Sequence, residues 1–339
     1  MLARYWDLSY NNFNYSYVNQ ATDKYGYCTL SYDRLGVGNT TKGEPLNEIQ
    51  ANLEVEALYA MTRLLRNGSF PGVNYTFTTV LHAGHAFGSA LTYSMVNKYP
   101  TASDGIALTG FSSNYGFLSQ FILGANFAMA NVNQPLRFGN YTLKDIQEVI
   151  FRDITNPLFN YIAGIMSIPP SQNLPNGYII PSNAPALQSL FFAPGFFDWR
   201  GLLPLSELTK QPTTVGELLT IGIASSNSFG GPVLVLTGDQ DTPFCGGNCH
   251  FTGDPSIPSI PSTLQRSFPN VPKNKYFTYI QPNTGHGINL HYNSTGAYDV
   301  MNSFFATTGA PAVKSRSIET GAQTPATIAR ARAINKARR

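Results

Sequence analysis

Three short β-rich runs punctuate the first third of the chain. Tyr27-Cys-Thr-Leu-Ser-Tyr-Asp33 is followed by the turn signal Arg34-Leu-Gly-Val-Gly38. Phe77-Thr-Thr-Val-Leu-His-Ala83 is apolar and β-branched enough for a strand buried on both faces, and breaks at Gly84. Gly105-Ile-Ala-Leu-Thr-Gly110 repeats that pattern. Between the first two runs, Ile49, Leu53, Leu58, Met61 and Leu65 recur mostly three or four residues apart. That spacing predicts an amphipathic helix capped by Asn47. Ser89-Ala-Leu-Thr-Tyr-Ser-Met-Val reads as a second helix. Strand, helix, strand, helix, strand predicts a parallel sheet with right-handed crossovers.

The alternation stops from Ser113 to Gly231. Candidate helices fall around Phe117–Met129, Leu143–Phe159 and Val215–Ala224, with a Pro- and Asn-rich stretch near Ile168–Pro185 and an aromatic cluster at Phe191, Phe192, Phe196, Phe197 and Trp199. A segment this long is a small domain of its own rather than a loop. Strand patterns resume at Pro232–Gly238 and Lys275–Ile280, and the amphipathic run after Tyr298 predicts a last helix. The expected organisation is therefore a core of residues 1–112 and 232–311, an insertion of residues 113–231 and a tail of residues 312–339.

Composition narrows the class. The chain has 339 residues, 12% charged and 13% aromatic. That aromatic content excludes disorder for most of it, and the length suits one α/β domain carrying an insertion. The net charge of +3 is misleading, because the tail holds seven basic residues against Glu319 alone and leaves the body at −3. Nucleic acid is not an expected partner of such a body. No apolar run is long enough to cross a bilayer. Cys245 and Cys249 flank a Gly-Gly-Asn loop that predicts a local disulfide, and hence an oxidising compartment. A zinc half-site with His250 is the alternative, although no second cysteine pair completes it. Six Asn-X-Ser/Thr sequons begin at Asn14, Asn39, Asn67, Asn74, Asn140 and Asn293, about the number chance supplies. No signal-peptide pattern opens the chain.

The chemistry lies at predicted strand ends. Gly84-His-Ala-Phe-Gly88 is a Gly-X-Ser-X-Gly nucleophile elbow with alanine in place of serine. Thr237-Gly-Asp-Gln-Asp241 ends another strand in an acid, and Thr284-Gly-His286-Gly sets a histidine between glycines after the last. The order nucleophile, acid, histidine is that of a hydrolase triad on a parallel sheet.

With Ser31-Tyr-Asp-Arg-Leu-Gly36, these motifs resemble the α/β-hydrolase superfamily, and within it a fungal-type group of lidded serine hydrolases, over roughly Tyr5 to Ala310. The resemblance implies an α/β-hydrolase sheet with helices on both faces and a helical lid at residues 113–231. It implies Asp241 as triad acid, His286 as general base, Ala86 at the nucleophile position and the Phe87 amide in the oxyanion hole. It further implies a small apolar ester-like substrate, no cofactor and secretion; an intracellular protein is the alternative.

The chain departs from the superfamily pattern in two places. Ala86 has no oxygen with which to attack, and the hydroxyls of Ser89 and Ser94 should point away. The strand and His-Gly motif that precede the Asp-Arg-X-Gly turn in this superfamily are absent, although Arg4-Tyr-Trp-Asp7 resembles the residues that come directly after a His-Gly motif. The expectation is a start set within a longer protein, since two buried strands would otherwise lack their shared partner. Two readings remain: an ester hydrolase lacking its nucleophile, and a pseudo-hydrolase binding a small apolar ligand. His82, His85 and His291 have no metal spacing and are expected to serve packing. Asp33 and Arg34 are expected to pair with each other.

Overall fold

The computed structural model describes residues 5–140 and 171–308. The helix expected around Leu143–Phe159 and the basic tail lie outside them. Four parallel strands, β1 (Leu81–His85), β2 (Gly105–Thr109), β3 (Val233–Gly238) and β4 (Tyr276–Gln281), lie side by side in sequence order. Leu81 pairs with Gly105, Ile106 with Val233, and Val233 with Tyr276. The principal helices are α1 (Tyr17–Asp23), α2 (Ala51–Arg66), α3 (Phe87–Lys98), α4 (Leu118–Ala125), α5 (Ala184–Phe191), α6 (Leu202–Thr209), α7 (Val215–Thr220) and α8 (Ser294–Thr308).

Strand alternation sorts the core into two layers. Ile106, Leu108, Val233 and Val235 meet Val55 and Leu58 of α2 and Leu91 and Met95 of α3. Ala107, Leu234 and Leu236 face the other way, onto Tyr17 of α1 and Tyr298, Met301 and Phe305 of α8. Both faces are covered, which is why β2 and β3 read as unbroken apolar runs. Truncating a residue such as Leu108 to alanine should cost about 2–5 kcal/mol.

Besides its helices, the insertion carries a small antiparallel sheet of Ala128–Met129, Tyr178–Ile180 and Thr213–Thr214. It is fastened to the core at α7. The Glu217 carboxylate pairs with Arg34, and the Gly216 amide donates to the Pro45 carbonyl at 2.8 Å.

The structure corrects four sequence expectations. Tyr27–Asp33 forms no strand, and Cys28 to Asp33 are exposed. Among the described residues no strand lies outside β1, so this stretch has no ladder to join. β1 begins at Leu81 rather than Phe77 and runs through Gly84 to His85, because its partner starts only at Gly105. Asn47 is not the cap of α2: its amide and that of Leu46 donate to the Glu44 carboxylate, and the helix starts after Gln50. Finally, Arg34 turns away from Asp33 to Glu217 of the insertion.

Candidate active site

Each candidate position follows the end of a parallel strand. β1 closes in Ala86, which N-caps α3 at φ 51° and ψ −113°. A residue bearing a Cβ seldom takes a positive φ, so this turn holds strain of about 1–3 kcal/mol. The turn is as tight as the motif demands. A Cβ on Gly84 would collide with the Gly88 carbonyl oxygen. Phe87 is the first residue of α3, so its amide has no partner within the helix. The Arg34 guanidinium lies 4.7 Å over its ring. Ser89 Oγ is buried and donates to the Thr109 carbonyl at 2.8 Å, which accounts for it as a structural hydroxyl.

Asp241 follows β3 and caps the short turn Thr242–Cys245. Its Oδ1 accepts from the Phe244 amide at 2.9 Å, and its Oδ2 accepts from His286 Nδ1 at 2.7 Å. Both partners are buried. With Nδ1 engaged as a donor, the Nε2 lone pair of His286 is left to act as a base. The rings of Phe191, Phe121 and Phe244 surround this imidazole at 5.4, 5.9 and 5.9 Å.

The elbow meets the histidine loop through His85, whose ring lies 4.9 Å from that of His286. Gly110, at φ 52°, keeps both rings close, since a Cβ there would stand 2.7 Å from His85 Cε1 and 3.1 Å from His286 Nδ1. Tyr5 stacks on the other side of His85 at 4.4 Å. Burial holds His85 well below the usual imidazole range. Its Nδ1–H donates to Thr109 Oγ1, whose own proton goes to the Gly84 carbonyl.

Two further histidines, His82 and His291, are structural. His82 bridges Thr62 and Ser103 at 2.9 and 2.8 Å. His291 Nε2 accepts from the Ala193 and Gly285 amides, and its Nδ1 donates to the Gly287 carbonyl, so it anchors the loop carrying His286. Cys245 and Cys249 form a disulfide, which removes the zinc reading of that pair. Among the described residues, no group of three or more potential ligands is placed to hold a metal ion. The aromatic cluster divides: Phe191 lines the site, Phe192 and Phe197 are core, and Trp199 is 62% exposed. Tyr5, Phe121 and Phe244 reach the site from elements whose local sequence does not announce it.

The sheet order, the strained elbow and the Asp-His pair in this chain order define an α/β-hydrolase fold. No family model matches the chain, and no curated protein does. Among solved structures it is similar to a methylesterase protein from Arabidopsis, at 10% identity and TM-score 0.49 over 85% of this chain and 90% of that one. It is also similar to a monoacylglycerol lipase from Paleococcus ferrophilus, at 11% and 0.45 over 86% and 87%. A thermophilic esterase from Thermogutta terrifontis is similar at 10% and 0.45 over 80% and 78%.

Proposed function

We propose that this is the site of a serine-type ester hydrolase acting on a small apolar substrate, with Ala86 standing where the attacking serine belongs. The observation that carries the reading is the buried 2.7 Å hydrogen bond between His286 and Asp241, with the His286 ring 4.9 Å from that of His85, the neighbour of the strained Ala86. In the reaction, a hydroxyl on residue 86 would attack the ester carbonyl as His286 Nε2 takes its proton. Asp241 would hold the imidazole's orientation and stabilise the cation. The Phe87 amide would donate to the developing oxyanion. The phenylalanine rings around His286 favour an apolar acyl group. Residues 113–231, which supply Phe121 and Phe191, serve as the lid. The buried disulfide suits a protein of an oxidising compartment.

A second reading, ligand binding without turnover, is favoured by Ala86 itself, because its methyl group offers no nucleophile. A fluorophosphonate label separates the two. The chain with Ala86 should not react. Ala86→Ser should become labelled, and His286→Ala in that background should abolish the labelling. An Ala86→Ser protein that folds, binds apolar ligands and never labels would overturn the hydrolase reading in favour of the second.

A further inference from the structure

We propose that the Cys245–Cys249 disulfide is a positioning element for the Asp241–His286 pair, acting on both partners at once. The proposal rests on the reading of that pair as the site's acid and base. Cys245 closes the turn that Asp241 caps, and the next two residues, Gly246 and Gly247, return their amides to the Thr242 and Asp241 carbonyls at 2.9 Å each. Cys249 is anchored elsewhere. Its amide donates to the Asp239 carbonyl at 2.9 Å, and its carbonyl accepts from Ile260 at 2.9 Å. The Asp239 carboxylate accepts the Asn283 and Thr284 amides at 3.0 and 2.8 Å, the start of the loop carrying His286.

The disulfide therefore joins the turn of the acid to Cys249, whose amide is hydrogen-bonded to Asp239, the residue that holds the loop of the histidine. Between the two cysteines the chain runs through positive-φ glycines, which alone would fix little. Phe244 extends the connection by donating its amide to Asp241 while its ring packs near His286 and lies 5.4 Å from Phe111. Both cysteines are buried in the main core, so the bond is built into the site's floor rather than hung on a surface loop.

The test uses a Cys28→Ser background, which removes the exposed free thiol. The readout is the low-field proton resonance of His286 Nδ1–H, assigned by its loss in His286→Gln, together with amide exchange at Phe244, Gly247 and Thr284. In Cys245→Ser/Cys249→Ser the resonance should broaden away. Those amides should exchange at least about tenfold faster while β2 and β3 amides keep their protection, as expected for local opening. A retained resonance with unchanged exchange would overturn the proposal, leaving the disulfide a general stabiliser. If the double variant does not fold, phosphine reduction of the Cys28→Ser protein, with thiols counted by mass, decides the matter: a resonance that survives full reduction overturns it. The hydrolase reading is tested separately by labelling Ala86→Ser with the disulfide intact. Loss of the resonance without labelling would keep the positioning role and sink the hydrolase, and the reverse pattern would do the opposite.

Discussion

The ring of His85 stands 4.9 Å from that of His286, and a carboxylate meets only the second. Like two other imidazoles elsewhere in the fold, His85 is buried. Burial pushes His82 and His291 down to about 4, and His85 well below its ordinary value. For His82 and His291 the unfolded chain takes up its protons near pH 6.5, while the folded chain refuses them until about pH 4. Stability is therefore complete above pH 6.5 and lost as pH falls toward 4, by about 3 kcal/mol each for His82 and His291. Glu54 acts in the opposite sense, because burial raises it to about 7. Three imidazoles outweigh one carboxyl, so urea unfolding should show lower stability at pH 5 than at pH 7. Equal values would refute this balance.

Glu54 gives its own prediction. Both its carboxylate oxygens are buried, and a hydrogen bond from the Leu35 backbone only partly compensates them. Its raised value means that it is comfortable protonated and costly when ionised, with the Arg34 charge offsetting only part of that cost. Glu54→Gln should add about 1–3 kcal/mol at pH 8 and nothing at pH 5. Denaturant midpoints at the two pH values check it, and destabilisation at pH 8 would show that Arg34 needs both carboxylates.

The strain at Ala86 should be measurable as stability. Glycine takes φ 51° and ψ −113° without a Cβ conflict, so Ala86→Gly should raise stability by about 1 kcal/mol. Gly84→Ala should do the reverse, losing at least about 1–3 kcal/mol, because its methyl group meets backbone rather than a yielding side chain. Thermal melts of the two variants should move in opposite directions.

His291 should matter more than its distance from the chemistry suggests. His291→Leu strands the buried Ala193 and Gly285 amides, at about 1–3 kcal/mol each. In the Ala86→Ser background it should also slow fluorophosphonate labelling, since Gly285 directly precedes His286. Labelling at an unchanged rate would show that His286 keeps its place without this anchor.

The parts legible in the sequence share a physical cause. β2 and β3 are buried on both faces, so their pattern is local and unbroken, while Asp241 follows the strand-ending Gly238 by three residues and His286 stands between two glycines. Tyr27–Asp33 has the composition of a strand, but pairing is settled by neighbours that no local window contains. The offset of β1 has the same origin, since Gly105 fixes where its ladder begins. Arg34 misled for a similar reason: its charge found Glu217, far along the chain, in preference to its immediate neighbour. Tyr5, Phe121 and Phe244 lie in unremarkable stretches and acquire their roles only from the fold.

Tyr5 accepts the Asn289 amide on its hydroxyl and the Asn289 side chain on its carbonyl, across a separation of 284 residues. During synthesis, Tyr5 leaves the ribosome long before that partner exists. The histidine loop is thus completed by two segments 284 residues apart, with the whole sheet between them. At roughly 5–20 residues per second, the aromatic surface of Tyr5 waits on the order of 15–60 seconds for its seat. Until then the growing chain exposes an aromatic ring that the finished fold buries.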